Sequence, residues 1–585
     1  MKMLFKDAGY NLAKLIEDIN VGVIGLPDIQ RPFVWKDTQV RDLFDSMYRG
    51  YPIGQLLFWE NAYQEHTRSI GNNEHAHRPP RFLIVDGQQR LTSLFAVVKS
   101  KEVVRENYDK EKVVIAFHPL EERFEVPDAA IRNNPEYIQD ISMVWNAQNL
   151  NRFTNEHIQK LHTIHGGLTE TEEEKIANAI GELHGLLHFS FSVLEIGAGT
   201  SEEDVADIFV RINSKGKSLK ETDFILTLMS VFWDDGRMEL EEFSRTAKAV
   251  ADGTASAFNY IFQPDPDQML RIAIGLGFKR ARMKYAYSIL RGKDLQTEEF
   301  SEERRVQQFD ALKEAQTKTL ELNNWHEFLK ALKEAGYTRQ GLISSDYNVM
   351  YAYVVFLIGK YNFGIDAPAL RKLTARWFFF SSLTGRYTGS AETQMEEDLN
   401  AIDKGQTAGK SLTETLNSIV EAEITSDYWN ITLPTSGLVS GAARNPAMFA
   451  YYAGLNILGA KILFSGLTTV QLMEEGVRER RSALERHHLF PRKYLQRIGI
   501  NEQSEINQVA NYALVEWGDN NDISDQAPSE YLPAYLKRLS DEDKEQMYYW
   551  HALPEGWEQM RYPKFLEERR KMMAIVIRDA FEKLN

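Results

Sequence analysis

The sequence predicts an α+β protein with more than one domain, and three observations lead to that class. At 585 residues the chain is too long for one hydrophobic core. Residues 1–240 and 471–585 mix apolar runs of strand length with helical periodicity. Between residues 241 and 470 the strand signals fade and apolar residues recur at helical spacing. We therefore predict three domains, 1–240, 241–470 and 471–585, of which the middle one is helical.

Composition limits the classes of function. The chain has no cysteine, which excludes disulfides, thiolate zinc sites and a cysteine nucleophile. Its formal net charge of −16 argues against a general polyanion binder, so a nucleic acid would have to meet locally basic surface. The N-terminus lacks a secretory segment, and the longest apolar stretch, 451–467, contains Asn456 and Lys461. We expect a cytoplasmic protein without a membrane partner.

The first helix signal, from Leu12 to Ile16, leads into a loop that Pro27 and Pro32 keep irregular. Gln30 and Arg31 lie in this loop, where they either contact a ligand or belong to an ordinary surface loop. A helix is expected after Asp37, with a buried face formed by four residues: Val40, Leu43, Phe44 and Met47. The glycine-bracketed turn 50–54 then opens a strand over 55–59.

The stretch 82–94 predicts a strand, a tight turn and a helix. Phe82 to Val85 form the strand. The polar residues that follow form the turn, Asp86 and Gly87, and the start of the helix, Gln88, Gln89 and Arg90. A helix N-terminus favours anions, and a guanidinium suits phosphate. Asp86 could hold a cation or a ribose hydroxyl. The alternative is a plain strand–helix connection with a polar turn.

Further strands are expected over 113–117 and 187–194, and a helix over 203–210. The loop that follows, 211–219, contains Asn213, Gly216 and two lysines, so it either touches phosphate or simply connects two helices. In the helical region, basic and aromatic residues interleave over 279–293. That pattern suits a nucleic-acid backbone, and it equally suits a solvated helix face.

The C-terminal segment carries the residue types that phosphodiester cleavage needs: a base, a cation site and fixed donors. His487 and His488 precede Pro491, a strand over 511–517 follows, and residues 518–524 turn toward a helix. Histidine suits a base near neutral pH, and imidazole with amide or carboxylate oxygens suits a magnesium- or manganese-class ion. Neighbouring strand residues alternate sides, so the two histidines share one site only where the strand ends or bends. The alternative is a structural or surface histidine pair.

The N-terminal motifs resemble one known architecture. Gln30 and Arg31, the 50–54 turn, Asp86–Thr92 and Asn213 with Gly216 resemble the N-terminal domain of the GmrSD-type restriction endonucleases. The resemblance implies a ParB-like α/β fold associated with nucleotide binding and hydrolysis. It implies nucleotide- or DNA-sensing roles for the following residues: Gln30, Arg31, Asp86, Gly87, Gln88, Gln89, Arg90 and Asn213.

The C-terminal motifs resemble the HNH nuclease domain of the same family, a ββα-metal fold. By this resemblance His488 is the general base and Asn511 orients it. His487 and Asn520 are metal ligands, with Asn521 equally well spaced. The distance along the chain from His488 to Asn511 requires an insertion between the two hairpin strands.

The resemblance implies an NTP-coupled, metal-dependent DNA endonuclease or nickase of anti-phage defence. The expected cofactors are Mg²⁺ or Mn²⁺ and a nucleoside triphosphate, GTP, UTP or ATP. The expected partners are DNA, with glucosylated hydroxymethylcytosine or phosphorothioate as the modification, and a second copy of the chain in a homodimer. Two alternatives stay open: a modification sensor with a silent nuclease domain that acts through a partner, and direct DNA reading by the Asp86–Arg90 motif without nucleotide.

Overall fold

The structure is a computed structural model that describes residues 4–25, 33, 35–60, 80–105, 110–200, 221–222, 225–226, 229, 233–248, 253, 255–294, 297, 299, 301–442, 444–473, 484–516, 519 and 522–585. The chain forms two compact units, Met1–Arg237 and Met238–Asn585. The architecture is mixed α+β with several domains, in agreement with the predicted class. The three-domain division stays a prediction.

The first unit is built around a five-stranded mixed sheet in the order β1-β9-β3-β4-β2. β1 pairs antiparallel with β9, β9 parallel with β3, β3 antiparallel with β4, and β4 parallel with β2. Two small hairpins accompany it, β5 with β6 and β7 with β8. The strands are β1 Phe5–Asn11, β2 Ile24–Gly25, β3 Leu56–Glu60, β4 Phe82–Asp86, β5 Glu102–Val104, β6 Lys110–Lys112, β7 Ala116–His118, β8 Arg123–Glu125 and β9 Ser190–Ile196.

Helices accompany this sheet, and most of them bury apolar residues in its core. They are α1 Leu12–Asn20, α2 Asp37–Tyr48, α3 Gln88–Val98, α4 Ala129–Asn133, α5 Ser142–Asn146, α6 Leu150–His165 and α7 Glu170–Gly185. The four apolar residues expected on the inner face of α2 are all buried, which confirms the helical spacing read from the sequence. α1 begins where the side chain of Asn11 accepts a hydrogen bond from the Lys14 N–H.

Two predicted strands are displaced in the structure. The strand expected over 113–117 is only Ala116–His118, because the carbonyl of Ile115 accepts the N–H of Ile141 in a neighbouring irregular segment. The strand expected over 187–194 begins with a 3-10 turn, Leu186–His188, and becomes regular from Ser190. The sequence analysis also did not predict β1.

The second unit is largely helical. Up to residue 473 its helices are α8 Asp234–Lys248, α9 Pro266–Phe278, α10 Met283–Leu290, α11 Glu302–Leu320, α12 Leu322–Glu334, α13 Asp346–Tyr361, α14 Ala367–Thr384, α15 Ala391–Thr407, α16 Leu412–Glu423, a π-helix Tyr428–Gly437, α17 Pro446–Leu458 and α18 Thr469–Met473, of which α8 begins in the first unit. α13 is buried on nearly all sides, and the Tyr353 ring stacks on Phe328 at 4.7 Å between centroids.

The C-terminal part of this unit combines a two-stranded sheet with short helices. β10 Leu484–His488 pairs antiparallel with β11 Tyr512–Glu516. The helices are α19 Arg492–Arg497, α20 Gln503–Ile506, α21 Pro528–Leu536, α22 Asp541–Trp550 and α23 Tyr562–Glu582. α19 and α20 lie in the connection between the two strands, which is the insertion that the spacing of His488 and Asn511 requires.

The basic and aromatic stretch 279–293 is engaged within the fold at its start. Glu396 of α15 accepts hydrogen bonds from the backbone N–H groups of Ala281 and Arg282, and its other oxygen pairs with Arg280 at 2.7 Å. Lys279 pairs with Asp403 of the same helix at 2.7 Å. Lys279 and Arg280 are therefore neutralised by α15, so the start of the stretch is neither a simple solvated face nor an unshielded basic patch.

Across the described ranges, every helix is too short or too polar to cross a bilayer. Of the apolar stretch 451–467, which was expected to form a core helix, only the part up to Leu458 belongs to the buried helix α17; the rest, from Gly459, is irregular.

Candidate functional site

The first candidate site lies at one edge of the five-stranded sheet. β4 ends there at Asp86, and β3 starts there because Leu57 is paired with Asp86. β2 runs parallel to β4, with Gly25 opposite Leu83, so the chain leaves β2 toward the same edge. The sheet thus brings together two segments that were selected separately from the sequence: the turn 50–54 and the stretch 86–90.

The side chain of Arg90 links the segments at this edge by hydrogen bonds. Its Nη1 donates to the Ile53 carbonyl at 2.7 Å, and its Nη2 donates to the Gln55 carbonyl at 2.8 Å. Nη2 also meets the Asp86 carboxylate at 3.2 Å. The Arg90 side chain is 16% exposed, and burial lowers its pKa while Asp86 opposes the shift. Arg90 therefore holds the 50–54 turn in place, a role that the sequence alone did not suggest.

The glycines around Arg90 are required by close approach. Gly54 has φ +83°, and a Cβ there would lie 2.7 Å from Arg90 Nη1. Gly87, the N-cap of α3, has φ +97°, and its Cβ would lie 2.3 Å from Leu56 Cδ2 and 3.2 Å from Arg90 Nη2. The Gly-x-x-x-Gly turn and the Asp-Gly turn are thus shaped to fit around one guanidinium.

Gln88 and Gln89 form the first residues of α3, as predicted, and both are half-buried. Their backbone lies where the helix presents N–H groups that favour an anion. Gln30, Arg31 and Asn213 fall outside the described residues. The structure therefore brings five of the eight predicted sensing residues to one sheet edge: Asp86, Gly87, Gln88, Gln89 and Arg90.

The second candidate site is the β10–β11 hairpin of the second unit. His487 is paired with Ala513 and His488 with Tyr512. The two histidines face opposite sides of the strand, as alternation predicts. His487 points inward and is 3% exposed, with its ring 6.2 Å from that of Tyr531. His488 is half-buried, and its ring lies 4.5 Å from that of Tyr512.

His488 is held by an asparagine that the sequence analysis did not select. Asn507, the residue at the end of α20, places its Oδ1 at 3.1 Å from His488 Nε2. With the amide in this orientation, Nε2 carries the proton and the lone pair lies on Nδ1. The signal that could have found Asn507 is its position four residues before Asn511, inside the connection that returns to the strand.

Asn511 was expected to contact His488 directly, but its hydrogen bonds go to backbone groups instead. Asn511 is fully buried, its Oδ1 accepts the Phe490 N–H at 2.9 Å, and its Nδ2 donates to the carbonyls of Phe490 and Ile506, both at 3.1 Å. All of its described bonds are spent on backbone. Asn511 therefore fixes the chain directly after His488, while Asn507 holds the imidazole.

Arg569 of α23 binds the backbone of the same strand pair. It is fully buried, and its Nη1 donates to the carbonyls of Ala510 and Tyr512, both at 2.8 Å, while its Nε donates to the His551 carbonyl at 3.1 Å. Burial lowers the pKa of Arg569. This cation anchors β11 at the residue paired with His488.

Carboxylates lie beyond the other end of β11. Burial and the charges of Glu516 and Asp522 raise the pKa of Asp519, with Arg538 opposing the shift. Asn520 and Asn521 are outside the described residues. Within the ranges that are described, no three histidine or carboxylate side chains gather as a metal site. Of the predicted ligands, the structure therefore places His487 only.

Comparison with known proteins adds evidence on both units. Residues 12–230 match the family described as GmrSD restriction endonuclease, N-terminal domain. The matched range includes the whole sheet edge built around Arg90. The uncharacterized protein MJ0686 of Methanocaldococcus jannaschii is 23% identical over 560 residues, which cover 90% of this chain and 87% of that protein. These comparisons support a relationship of the N-terminal part of the chain to the GmrSD restriction endonucleases.

Proposed function

We propose that this chain is a DNA endonuclease of phage restriction, in which nucleotide binding by the first unit controls cleavage by the second. The observation that carries the proposal is the fixed imidazole of His488 at the end of a β-hairpin, in a chain whose residues 12–230 match a restriction endonuclease domain. The hairpin, whose connection contains α19 and α20, is followed by α21, an order that supports a ββα unit with an insertion between its strands.

The chemistry proposed for His488 follows from its hydrogen bond. Because Asn507 Oδ1 orients the imidazole, we assign to His488 the role of the general base that accepts a proton from the water attacking the phosphodiester. Asn507 is the positioning residue, and it also stabilises the imidazolium that forms. Asn511 and Arg569 fix the two backbone strands on either side of this histidine.

A divalent cation, Mg²⁺ or Mn²⁺, is part of the proposal. When bound, it would stabilise the charge that develops on the phosphate. His487 has a suitable nitrogen donor, but its ring is 3% exposed and faces the side of β10 opposite to His488. The second proposed ligand, Asn520 or Asn521, is outside the described residues. The described residues do not complete an ion's shell, so no step of the mechanism is assigned to the metal.

The first unit is proposed to bind a nucleoside triphosphate, GTP, UTP or ATP, at the sheet edge around α3. Gly87 lets a ligand approach the helix start closely, and the α3 N-terminus favours phosphate. Arg90 contributes by shaping this surface, because its described donors are spent on Ile53, Gln55 and Asp86. The modification that is read, glucosylated hydroxymethylcytosine or phosphorothioate, is proposed from the resemblance alone.

The test is cleavage of unmodified, glucosylated and phosphorothioated DNA, with Mg²⁺ or Mn²⁺ and each nucleotide in turn. We expect His488→Ala to lose cleavage by at least about 100-fold, the usual contribution of a general base. His188→Ala, which removes an exposed histidine elsewhere, is the control and should cut like the parent. Equal cleavage by the parent and His488→Ala would refute the assignment of the base.

Asn507 provides a second, sharper test. Asn507→Ala should reduce the cleavage rate and move the acid limb of its pH profile, because the imidazole loses the acceptor that fixes its tautomer. Asn501→Ala, an exposed asparagine of the same connection, should change neither. An unchanged pH profile in Asn507→Ala would show that this contact is structural only.

One observation favours the alternative of a modification sensor with a silent nuclease domain. His487 is buried, and among the described residues no three-ligand metal group accompanies it. A sensor would bind or hydrolyse nucleotide and respond to modified DNA, yet leave the DNA intact with every metal. Nucleotide hydrolysis measured beside cleavage, on the same samples, separates the two functions.

A further inference from the structure

β1 is an open edge of the five-stranded sheet. It pairs with β9 on one side, and among the described residues no strand or isolated bridge lies on its other side. Its register with β9 runs through seven residues without a bulge, and its sequence contains no proline. Long, regular edges of this kind are templates for pairing with another strand, and proteins that avoid such pairing usually interrupt them.

The hydrogen bonds beside β1 show which backbone groups point outward. Leu12 donates its N–H to Phe189, and Gly197 donates to Leu4, so the even-numbered residues of this strand bond toward β9. The odd-numbered residues therefore direct their N–H and C=O groups away from the sheet. These residues are Phe5, Asp7, Gly9 and Asn11, and all four are exposed.

We propose that β1 pairs antiparallel with β1 of a second copy of this chain, in a register centred on Ala8. An antiparallel pair must match outward-facing residues with one another. Centring the two-fold axis on Ala8 pairs Phe5 with Asn11 and Asp7 with Gly9, so each outward residue has a partner. Of their outward groups only the carbonyl of Asn11, the N-cap of α1, is already used within the described parts of the chain. The two sheets then become one continuous sheet of ten strands.

Charge selects this register from its neighbours. A two-fold axis on Asp7 would set two carboxylates directly opposite each other, which is unfavourable. An axis on Gly9 would leave Phe5 and its outward backbone groups without a partner. With the axis on Ala8, no like charges face each other. Lys6 then lies opposite Tyr10 of the second copy, on the face where Glu195 already accepts from Tyr10 at 2.6 Å and pairs with Lys6 at 2.6 Å.

The absence of native cysteine makes the register directly testable. Ala8 would form the non-hydrogen-bonded pair at the axis, with Cα atoms about 4.5 Å apart, within the range of a disulfide. In the same register, residue 7 or residue 9 would lie roughly 8 Å from its own counterpart, beyond disulfide reach. Gly9 tolerates a side chain, since a Cβ there meets no atom within 4 Å.

The experiment compares three single variants of the full chain under mild oxidation: Asp7→Cys, Ala8→Cys and Gly9→Cys. We expect a covalent dimer of Ala8→Cys on a non-reducing gel, and at least tenfold less of it with the other two. Stronger cross-linking of Asp7→Cys or Gly9→Cys would overturn the register. Cross-linking of none of the three would overturn the interface.

A proline variant tests the interface without cross-linking. Asp7→Pro removes an outward N–H that β9 does not use, and edge strands tolerate proline in that position. By sedimentation velocity, the parent should show a concentration-dependent dimer and Asp7→Pro only monomer, with unchanged circular dichroism. A dimer that persists in Asp7→Pro, or a parent that is monomeric at every concentration, would contradict the proposal. Neither outcome bears on nucleotide binding or DNA cleavage.

Discussion

At the scale of single residues, Gly87 combines two constraints that can be measured apart. Its φ of +97° strains any other residue, and its Cβ would press on the buried Leu56 side chain. Gly22 has φ +76° with open space around it, so it shares only the first constraint. Gly87→Ala should therefore lower the free energy of unfolding by about 2 kcal/mol more than Gly22→Ala does.

Urea unfolding of the two alanine variants beside the parent measures this difference. Gly22→Ala should itself cost about 1 kcal/mol, the price of the left-handed backbone alone. Equal losses in the two variants would mean that Leu56 moves aside and that the close packing at the 86–90 turn is not a constraint.

The burial of His157 predicts that the free energy of unfolding of the first unit depends on pH. It is 8% exposed, and burial, aided by Lys160, lowers its pKa from 6.5 to about 4. The unfolded chain therefore binds a proton more readily than the folded one, so the contribution of this group is fully present above pH 6.5 and falls as the pH drops toward 4. Between pH 7 and pH 5 the loss should be about 2 kcal/mol.

The measurement is the free energy of unfolding at pH 7 and pH 5, for the parent and for His157→Gln, which stays neutral at both. The variant should lose about 2 kcal/mol less than the parent over this interval. Parallel pH dependence in the two proteins would show that His157 is not the group responsible.

At the scale of elements, Arg90 joins α3 to the turn before β3, and its removal should loosen that junction. Arg90→Met keeps most of the side chain's bulk but leaves the Ile53 and Gln55 carbonyls without their donor. We expect a loss of about 2–4 kcal/mol. Arg49→Met, which removes an exposed helix pair with Asp45, should cost less than about 0.5 kcal/mol. Urea titration measures both losses of unfolding free energy. Similar losses in Arg90→Met and Arg49→Met would argue against a stabilising role of Arg90 at this junction.

The sequence was informative about elements whose pattern is local. The inner face of α2 follows from helical periodicity and was predicted correctly. His487 and His488 were expected to share one site where the strand ends, but strand alternation extends through both residues and turns them to opposite sides. β1 was missed because its residues carry no apolar alternation, and they become a strand only by pairing with β9, far along the chain.

The site residues show the same limit. The Asp86–Arg90 motif was recognised as unusual. The carbonyl groups that Arg90 binds lie 35 and 37 residues earlier, so these hydrogen bonds could not be predicted from the spacing of the motif. Asn511 was assigned to orient His488 by the family resemblance, and Asn507 was not considered. Which asparagine reaches His488 depends on how α20 ends, and that is decided by packing.

At the scale of the whole molecule, two compact units with separate cores should unfold in two steps. If the first unit binds nucleotide as proposed, nucleoside triphosphate at 100 times its dissociation constant adds about 2.7 kcal/mol to that unit alone. Differential scanning calorimetry should then show one transition moving upward and the other unchanged.

Asp86→Ala is the variant for this calorimetric test, and His488→Ala is its control. Asp86→Ala should abolish the nucleotide-dependent shift, while His488→Ala should retain it in full, because His488 belongs to the second unit. A shift of both transitions, or of neither, would contradict nucleotide binding confined to the first unit.

The hydrogen bonds from Arg569 to the backbone of β11 have a consequence for biosynthesis. Tyr512 is translated 57 residues before the arginine that binds its carbonyl. While the ribosome is still adding those residues, the strand opposite His488 has no anchor beneath it. If this hairpin cleaves DNA as proposed, the cell would be spared that activity during synthesis, since the hairpin gains this anchor only after α23 has been made and has docked.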